Sequence, residues 1–552
     1  MKKKIALLLS IILMLSMSVP VNAATDEDNT RSMAISSNDL VLLIPGTMGS
    51  ELKYGSTKVW DPSYNVLKHN DYFNWLSFNE LGTPNYSISV YNDDDSGAQD
   101  KYAEMFDALD TAFGNTATVD FFAYDWRKSC VDAADELSDY LDNYSGNIYL
   151  VAHSMGGLVA SQYLKNASAS ERARTTLITI GTPFTGAPKA VNVFENGAMF
   201  GGLVNIAIGG YIKENAQNYP SAYELLPSSR HSNYLMKEEV LQGYSSALTF
   251  LKSRDWGRTE SGSVKTMFAS AATFTSGLGS GTSHKAYLAA NTYHIVATGE
   301  DTVQKINYVL DGGEYRTDYL QMSNAGDGTV MAESARNDFA ASNSYVRELD
   351  NVGDHVTMLN NNEVQTLVIS LINGTNASSA NSRTSISADD TVRTVNERGW
   401  IVGQSIDNRR IIININHGGM GSLMLNTGEP VFVDGETLYY SDADNQQIKV
   451  GSIFKTGVGY QYVLKNNSYI LECDEADDSS KVTIRYMDDG YHEKVVEYGD
   501  LPDTEITISM SDYDNMSVQA FSESDAIKNA GATAIPVSKE YSPAEIDILN
   551  AQ

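Results

Sequence analysis

The segment Val151-Ala152-His153-Ser154-Met155-Gly156-Gly157 sets a serine between two runs of different period. Before it, Asn147-Ile148-Tyr149-Leu150-Val151 is apolar, β-branched and of strand length; after it, Met155, Leu158, Val159 and Tyr163 recur at helical spacing. Strand, serine and helix in that order predict a sharp turn that presents the hydroxyl as a nucleophile. A serine hydroxyl is inert at its free pKa, so the chemistry also needs a base within hydrogen-bond reach, a carboxylate to orient that base, and backbone amides to hold an oxyanion. Such a turn wants small residues two before and two after the serine; Ala152 and Gly156 supply them, with Ala152 standing where glycine is usual. The bland alternative is a Gly-rich turn without chemistry, which the flanking strand and helix argue against.

In the α/β-hydrolase arrangement the acid and base follow the serine in the order Ser, Asp or Glu, His. The chain has eight histidines. His153 adjoins the serine and is expected to point elsewhere, and His69 precedes it. His231 and His284 fall in an expected insertion, His294 lies in an expected strand, and His417 and His492 lie far downstream. His355 remains, in the loop Asn351-Val352-Gly353-Asp354-His355-Val356-Thr357-Met358, which leads into the helical stripe Val364, Leu367, Val368, Leu371 and Ile372. For the acid, Asn324-Ala325-Gly326-Asp327-Gly328-Thr329-Val330 brackets an aspartate with glycines that free the backbone to turn. Asp327 is the candidate, with Asp301 and Asp318 as alternatives. The oxyanion amides are expected from Met155 and from the Gly-rich loop Ile44-Pro45-Gly46-Thr47-Met48-Gly49-Ser50, where Thr47 is the first choice and Met48 the second.

The elements that must position these residues alternate short apolar strands (Leu40–Ile44, Val119–Tyr124, Ile148–Val151, Leu177–Ile180, Tyr293–Ala297) with amphipathic helices. That alternation predicts an α/β core with a mostly parallel sheet, over residues 37–190 and 291–372. Residues 191–290 are too long for a connection and read as a folded cap or lid. Residues 373–390 form a small polar linker, and 391–552 show short alternating runs and turn sequences that predict an all-β C-terminal region. Residues 1–24 read as a secretory signal peptide, three lysines followed by an apolar run and Val21-Asn22-Ala23, so the protein is expected to be secreted.

A formal net charge of −31 with no basic stripe argues against nucleic acid and anionic membranes as partners. Cys130 shares an apolar helical stripe with Ala134, Leu137 and Leu141 and reads as a buried free thiol. No metal-ligand cluster stands out, and the expectation is of no cofactor.

Five segments in order resemble the lecithin:cholesterol acyltransferase family, which includes lysosomal phospholipase A. They are Ile44-Pro45-Gly46-Thr47-Met48-Gly49-Ser50-Glu51-Leu52; Ala123-Tyr124-Asp125-Trp126-Arg127; Ala152-His153-Ser154-Met155-Gly156-Gly157; Ile180-Gly181-Thr182-Pro183-Phe184-Thr185-Gly186-Ala187; and Gly326-Asp327-Gly328-Thr329-Val330 followed by His355. A weaker sixth is Tyr219-Pro220-Ser221-Ala222-Tyr223-Glu224-Leu225-Leu226-Pro227. The resemblance runs from about Leu40 to Ile372 and leaves the β-rich region outside. It implies Ser154, Asp327 and His355 as a catalytic triad, Thr47 and Met155 at the oxyanion hole, and Met48, Trp126 and Phe184 as substrate contacts. It also implies acyl transfer from a lipid ester, to water in a lipase or phospholipase, or to an alcohol in an acyltransferase. Thr47 stands where the animal enzymes are expected to carry Asp or Asn. The apolar run from Ala198 to Ile212 would suit a lid that meets a lipid surface, or equally a buried cap helix. Two other functions fit the same residues: an esterase acting on acylated polysaccharide, and an inactive hydrolase core whose β-rich region binds a surface ligand.

Overall fold

The computed structural model describes residues 35–60, 74–91, 97–197, 210–231, 250–251, 253–254, 263–279, 292–341 and 343–374. Beyond them it describes 409–434, 436–473, 480–487, 493–499 and 505–510, with the strand backbones at 235–236, 393–395, 400–403 and 533–539. The signal-peptide reading, most of the linker and residues 198–209 of the apolar run lie outside the described residues.

Six strands form one wholly parallel sheet in the spatial order Val346–Asp350, Thr292–Thr298, Thr175–Ile180, Ile148–His153, Leu40–Ile44, Thr118–Phe121. Their apolar runs are continuous because both faces are covered. Leu40, Leu42, Ile44, Ile148, Leu150 and Ala152 pack on one side against the helices Cys130–Leu141 and Met155–Asn166. Val41, Leu43, Tyr149 and Val151 pack on the other against Ala103–Phe113 and Asn362–Ile372. The chain is thus an α/β-hydrolase core followed by a β-rich region. The first strand lies between the second and third, so strand order reverses between Leu40–Ile44 and Ile148–His153, and a crevice opens beyond their carboxyl ends. The loop after one carries Gly46 to Gly49, and the turn after the other carries Ser154.

One element of the 291–372 segment departs from the expected alternation. After Thr292–Thr298 the chain makes an antiparallel hairpin, Thr302–Asp311 paired with Glu314–Ser323, before it returns to the sheet. Its residues Val303, Ile306, Tyr308 and Leu320 are buried.

The C-terminal region is a β-sandwich: a large, mainly antiparallel sheet stacked on a three-stranded one, Ser422–Leu425, Ser468–Glu472 and Glu505–Ser509. In the central strand Arg410–Asn416, Ile411, Ile413 and Ile415 face the sandwich interior. The alternate residues face the hydrolase. Ile412 joins a cluster with Val303, Ile306 and Leu320 of the hairpin. Asn414 donates to the Asp318 carbonyl at 3.1 Å, and Asn416 to the Asp318 carboxylate at 2.9 Å. From the next strand, the Gln461 side chain both accepts from Leu320 N (2.8 Å) and donates to Leu320 O (2.7 Å), completing the ladder of the hairpin as a neighbouring strand would. The two regions share a core.

Candidate active site

Ser154 is the N-cap of the helix Met155–Asn166, at φ 53° and ψ −127°, a conformation that costs about 1–3 kcal/mol in a non-glycine residue and tends to occur where a side chain must be aimed. The turn is that tight because the loop after the first strand presses on it from both sides of Ser154. A Cβ on Gly46 would sit 2.6 Å from Ser154 Cβ, and one on Gly156 would sit 2.5 Å from Pro45 O, so both positions require glycine. Ser154 N donates to Ile180 O at 2.8 Å, anchoring the turn to the adjacent strand.

Residues far apart in sequence meet at this hydroxyl. His355 Nε2 lies 2.9 Å from Ser154 Oγ, and His355 Nδ1 lies 2.7 Å from Asp327 Oδ2. The other carboxylate oxygen, Oδ1, accepts from Thr329 N (3.0 Å) and Val330 N (2.7 Å), so the acid is held by its own loop and offers a single oxygen to the ring. Asp327 and His355 are both buried. This geometry suits a base that accepts from Ser154 at Nε2 and donates to Asp327 from Nδ1. The two alternative acids lie elsewhere: Asp301 pairs with Arg410 at 3.2 Å, and Asp318 accepts from Asn416.

The loop after the first strand closes as a turn, with Gly49 N donating to Gly46 O at 3.0 Å. Met48, at φ 64°, takes the left-handed position of that turn, and its carbonyl accepts from Trp60 Nε1 at 2.8 Å. Thr47 is the other central residue, and its hydroxyl lies 3.4 Å from Met155 Sδ. As the first residue of its helix, Met155 has an amide with no acceptor within the helix. The two residues expected at the oxyanion are therefore in contact, one at the tip of a turn and one at a helix start.

His153 does not point away. Gly46 N donates to Tyr102 Oη (2.7 Å), Tyr102 Oη lies 2.9 Å from His153 Nδ1, and His153 Nε2 lies 2.7 Å from the His355 carbonyl. These contacts are mutually consistent when the Tyr102 hydroxyl donates to Nδ1 and Nε2–H donates to the carbonyl, with the His153 ring neutral. Burial, with repulsion from His355, holds its pKa well below the ordinary value, outweighing the hydrogen bond to the His355 carbonyl. The chain of contacts ties the Gly46 loop to the backbone of the His355 loop. Tyr102 lies fifty-one residues from His153, and no spacing signals the contact.

Ser154 and His355 open into a cavity of about 460 Å³. Met48, Trp60, Trp126 and Tyr219 give it aromatic and apolar walls, and Tyr211 and Ile212 of the apolar run also line it. Among its described lining residues no side chain is acidic, and Lys101 and Lys189 carry the positive charge. Trp126 is held by the segment Asp125–Arg127. Arg127, fully buried, donates from Nε and Nη2 to the two oxygens of Asp125 (2.8 and 2.7 Å) and from Nη1 to Leu76 O (3.0 Å), while Trp126 Nε1 donates to Ser50 O. The expectation for Phe184 does not hold. It is 1% exposed, packs in the core with its ring 5.0 Å from that of His294, and does not line the cavity. Its neighbour Pro183 lines the cavity instead. A cap residue, Glu224, ties the cap to the core: its carboxylate accepts from Ser129 Oγ (2.5 Å) and Cys130 N (2.7 Å) at the start of the helix Cys130–Leu141.

Residues 88–286 match the family model of lecithin:cholesterol acyltransferase. The matched span contains Ser154, Asp125–Arg127 and Thr182–Gly186, while the Gly46 loop, Asp327 and His355 lie outside it. No curated protein matches the sequence. Solved structures with partial similarity include the Tle4–Tli4 complex (14% identity, 62% of this chain and 99% of that one, TM-score 0.46). They also include the Bacillus licheniformis lipase BlEst2 (14%, 64% and 96%, 0.28) and the phospholipase PlaB of Legionella pneumophila (10%, 80% and 87%, 0.21).

Proposed function

From the premise that residues 88–286 form a lecithin:cholesterol acyltransferase-like segment within an α/β-hydrolase, we propose that the protein is a secreted serine hydrolase of lipid esters. The observation that carries this reading is the hydrogen-bonded series Ser154–His355–Asp327 at the mouth of an apolar, aromatic cavity. Ser154 Oγ attacks the ester carbonyl as its proton passes to His355 Nε2, and the carbonyl oxygen becomes an oxyanion held by the amides of Thr47 and Met155. Collapse of this intermediate expels the alcohol, which takes the proton from His355 and leaves an acyl group on Ser154. Asp327 Oδ2 holds the ring through Nδ1 and steadies the imidazolium. Water then attacks the acyl-enzyme with His355 again as base, releasing the acid and restoring Ser154. The cavity walls suit an acyl chain, since burying apolar carbon contributes about 0.8 kcal/mol per methylene.

An alcohol seated in the cavity in place of water would turn the same steps into O-acyl transfer. The test is product analysis with a phospholipid and a triglyceride, each with and without an added long-chain alcohol, using wild type and Ser154→Ala. Free fatty acid as the main product, absent with Ser154→Ala, is the expected result. Ester formation that outruns hydrolysis would replace the hydrolase reading with a transferase one, and activity that survives Ser154→Ala would remove both.

A further inference from the structure

The tail's sheet supplies three basic residues, Arg410, Lys449 and Lys465, to one patch of the hydrolase core that presents Glu300, Asp301 and Asp354. In a chain with 70 acidic and 39 basic residues, such a grouping of cations has a definite counterpart. Lys449 Nζ lies 2.6 Å from Glu300 Oε2, each about 15% exposed. Glu300 is the footing of the acid loop: its N–H donates to Gly326 O (3.1 Å), and its carbonyl accepts from Thr302 Oγ1 (2.8 Å), which in turn accepts from Gly328 N (2.8 Å). Both residues flanking Asp327 therefore rest on Glu300 and Thr302. On the other loop, Asp354 precedes His355 and closes the turn around it, accepting from Val356 N (3.1 Å) and Thr357 N (2.9 Å). Burial would raise the Asp354 carboxyl, but the Thr357 amide, the Lys449 charge and the Val356 amide together hold it below the ordinary carboxylate range. A further residue of the C-terminal region, Glu436, pairs at 2.5 Å with Lys189, which lines the cavity.

We propose that the β-sandwich is a working part of the catalytic unit, with Lys449 as a positioning residue that braces the loops of Asp327 and His355 from outside the hydrolase core. The catalytic roles of those two residues rest on the function proposed above; the brace does not. The acid loop is joined to its surroundings by isolated β-bridges, Glu300 with Asp327 and Gly326 with Met331. Under the acid loop the Glu300 carboxylate pairs with Lys449 of the sandwich, and the Lys449 charge also acts on Asp354 beside His355, so the loops that place Asp327 and His355 both meet a residue more than ninety positions further along the chain.

Lys449→Met tests this in the full-length protein with two independent measurements. Hydrogen exchange needs no activity. The brace requires the amides of residues 299–302, 324–330 and 351–357 to exchange at least about tenfold faster in the variant, while the strand Ile148–His153 is unchanged. Turnover on a p-nitrophenyl ester should fall by at least about tenfold in kcat per folded molecule with KM unchanged, and Lys449→Arg should restore most of it. A merely structural ion pair would lower the melting temperature and leave kcat per folded molecule alone. Unchanged exchange in those loops would overturn the proposal, as would unchanged kcat in a wild type that is active. If the wild type hydrolyses no ester, the functional reading fails, while the exchange experiment still decides the brace. Should Lys449→Met not fold, the paired change Lys449→Gln with Glu300→Gln removes both charges while keeping polar groups in place, and the same measurements apply.

Discussion

Gly46→Ala offers a direct test of the proposal that the loop carrying Thr47 holds the oxyanion. The new methyl would lie 2.6 Å from Ser154 Cβ and 3.1 Å from Ser154 Oγ, where carbon atoms prefer about 3.5–4.0 Å, so one partner must withdraw by roughly 1 Å. Ser154 is the less able to move. Its N–H is tied to Ile180 O at 2.8 Å, and its carbonyl accepts from Gly157 N at 3.0 Å. The loop therefore retreats and carries the Thr47 amide with it, lengthening a contact that must be about 2.7–3.1 Å to stabilise the oxyanion. Loss of one such donor costs about 10²–10³ in kcat, or about 2.7–4 kcal/mol, and this is the expected drop on a p-nitrophenyl ester. The overpacking itself should cost about 1–3 kcal/mol of stability. A double-mutant cycle separates the two effects: in a Ser154→Gly background the opposing Cβ is gone, so Gly46→Ala should cost at least about 1 kcal/mol less there. Retention of more than a third of wild-type kcat, or an equal stability loss in both backgrounds, would show that the Gly46 contact with Ser154 does not position the Thr47 amide.

Ser154→Gly alone should abolish ester hydrolysis yet raise stability by about 1 kcal/mol or more, because glycine adopts φ 53° without strain; urea denaturation followed by tryptophan fluorescence reads it. Tyr102→Phe strips both Gly46 N and His153 Nδ1 of a buried partner, and should cost about 2–4 kcal/mol of stability together with a fall in kcat at unchanged KM. Arg127→Met leaves Asp125 buried beside no counter-charge and should destabilise by about 3–5 kcal/mol, read from the shift of the denaturation midpoint. Burial, only partly opposed by Asp338, lowers the His231 pKa to about 4, against an ordinary value near 6.5. The unfolded chain then binds the extra proton between these values, so the contribution of His231 is complete above about 6.5 and is lost as pH falls toward 4. That loss is on the order of 3 kcal/mol, and His231→Asn should flatten the dependence of the urea midpoint over the same window.

Much of the candidate site is legible in the sequence because its signals are local. The run before Ser154 has to be a strand and the run after it a helix, and the small residues between them follow from a turn that leaves no room for a Cβ, as Gly156 against Pro45 O shows. The glycines around Asp327 and the apolar stripe after His355 likewise name two loops at the ends of strands. What the sequence could not give is which side chains stand next to one another when 201 residues separate Ser154 from His355. Phe184 and Trp126 look alike as aromatic residues in family motifs, yet one fills the core against His294 and the other lines the cavity, since only packing decides which way each faces. His153 looks redundant beside Ser154 until Tyr102 is folded against it.

The tail shows the same division. Its strands were written in β-branched and alternating residues, and that much is dictated by sequence. The run Ile411-Ile412-Ile413 carried a further hint, because a strand buried on one face should alternate, and three successive isoleucines call for cover on both. What covers the second face is the hairpin at 302–323, and no local rule names a partner a hundred residues away. Residue types and periods fixed the elements and the chemistry available to them. Docking of the sandwich on the loops of Asp327 and His355 was decided only in three dimensions, where burial of Ile412 against Leu320 and the pairing of Lys449 with Glu300 act across sequence separations that local propensity does not reach.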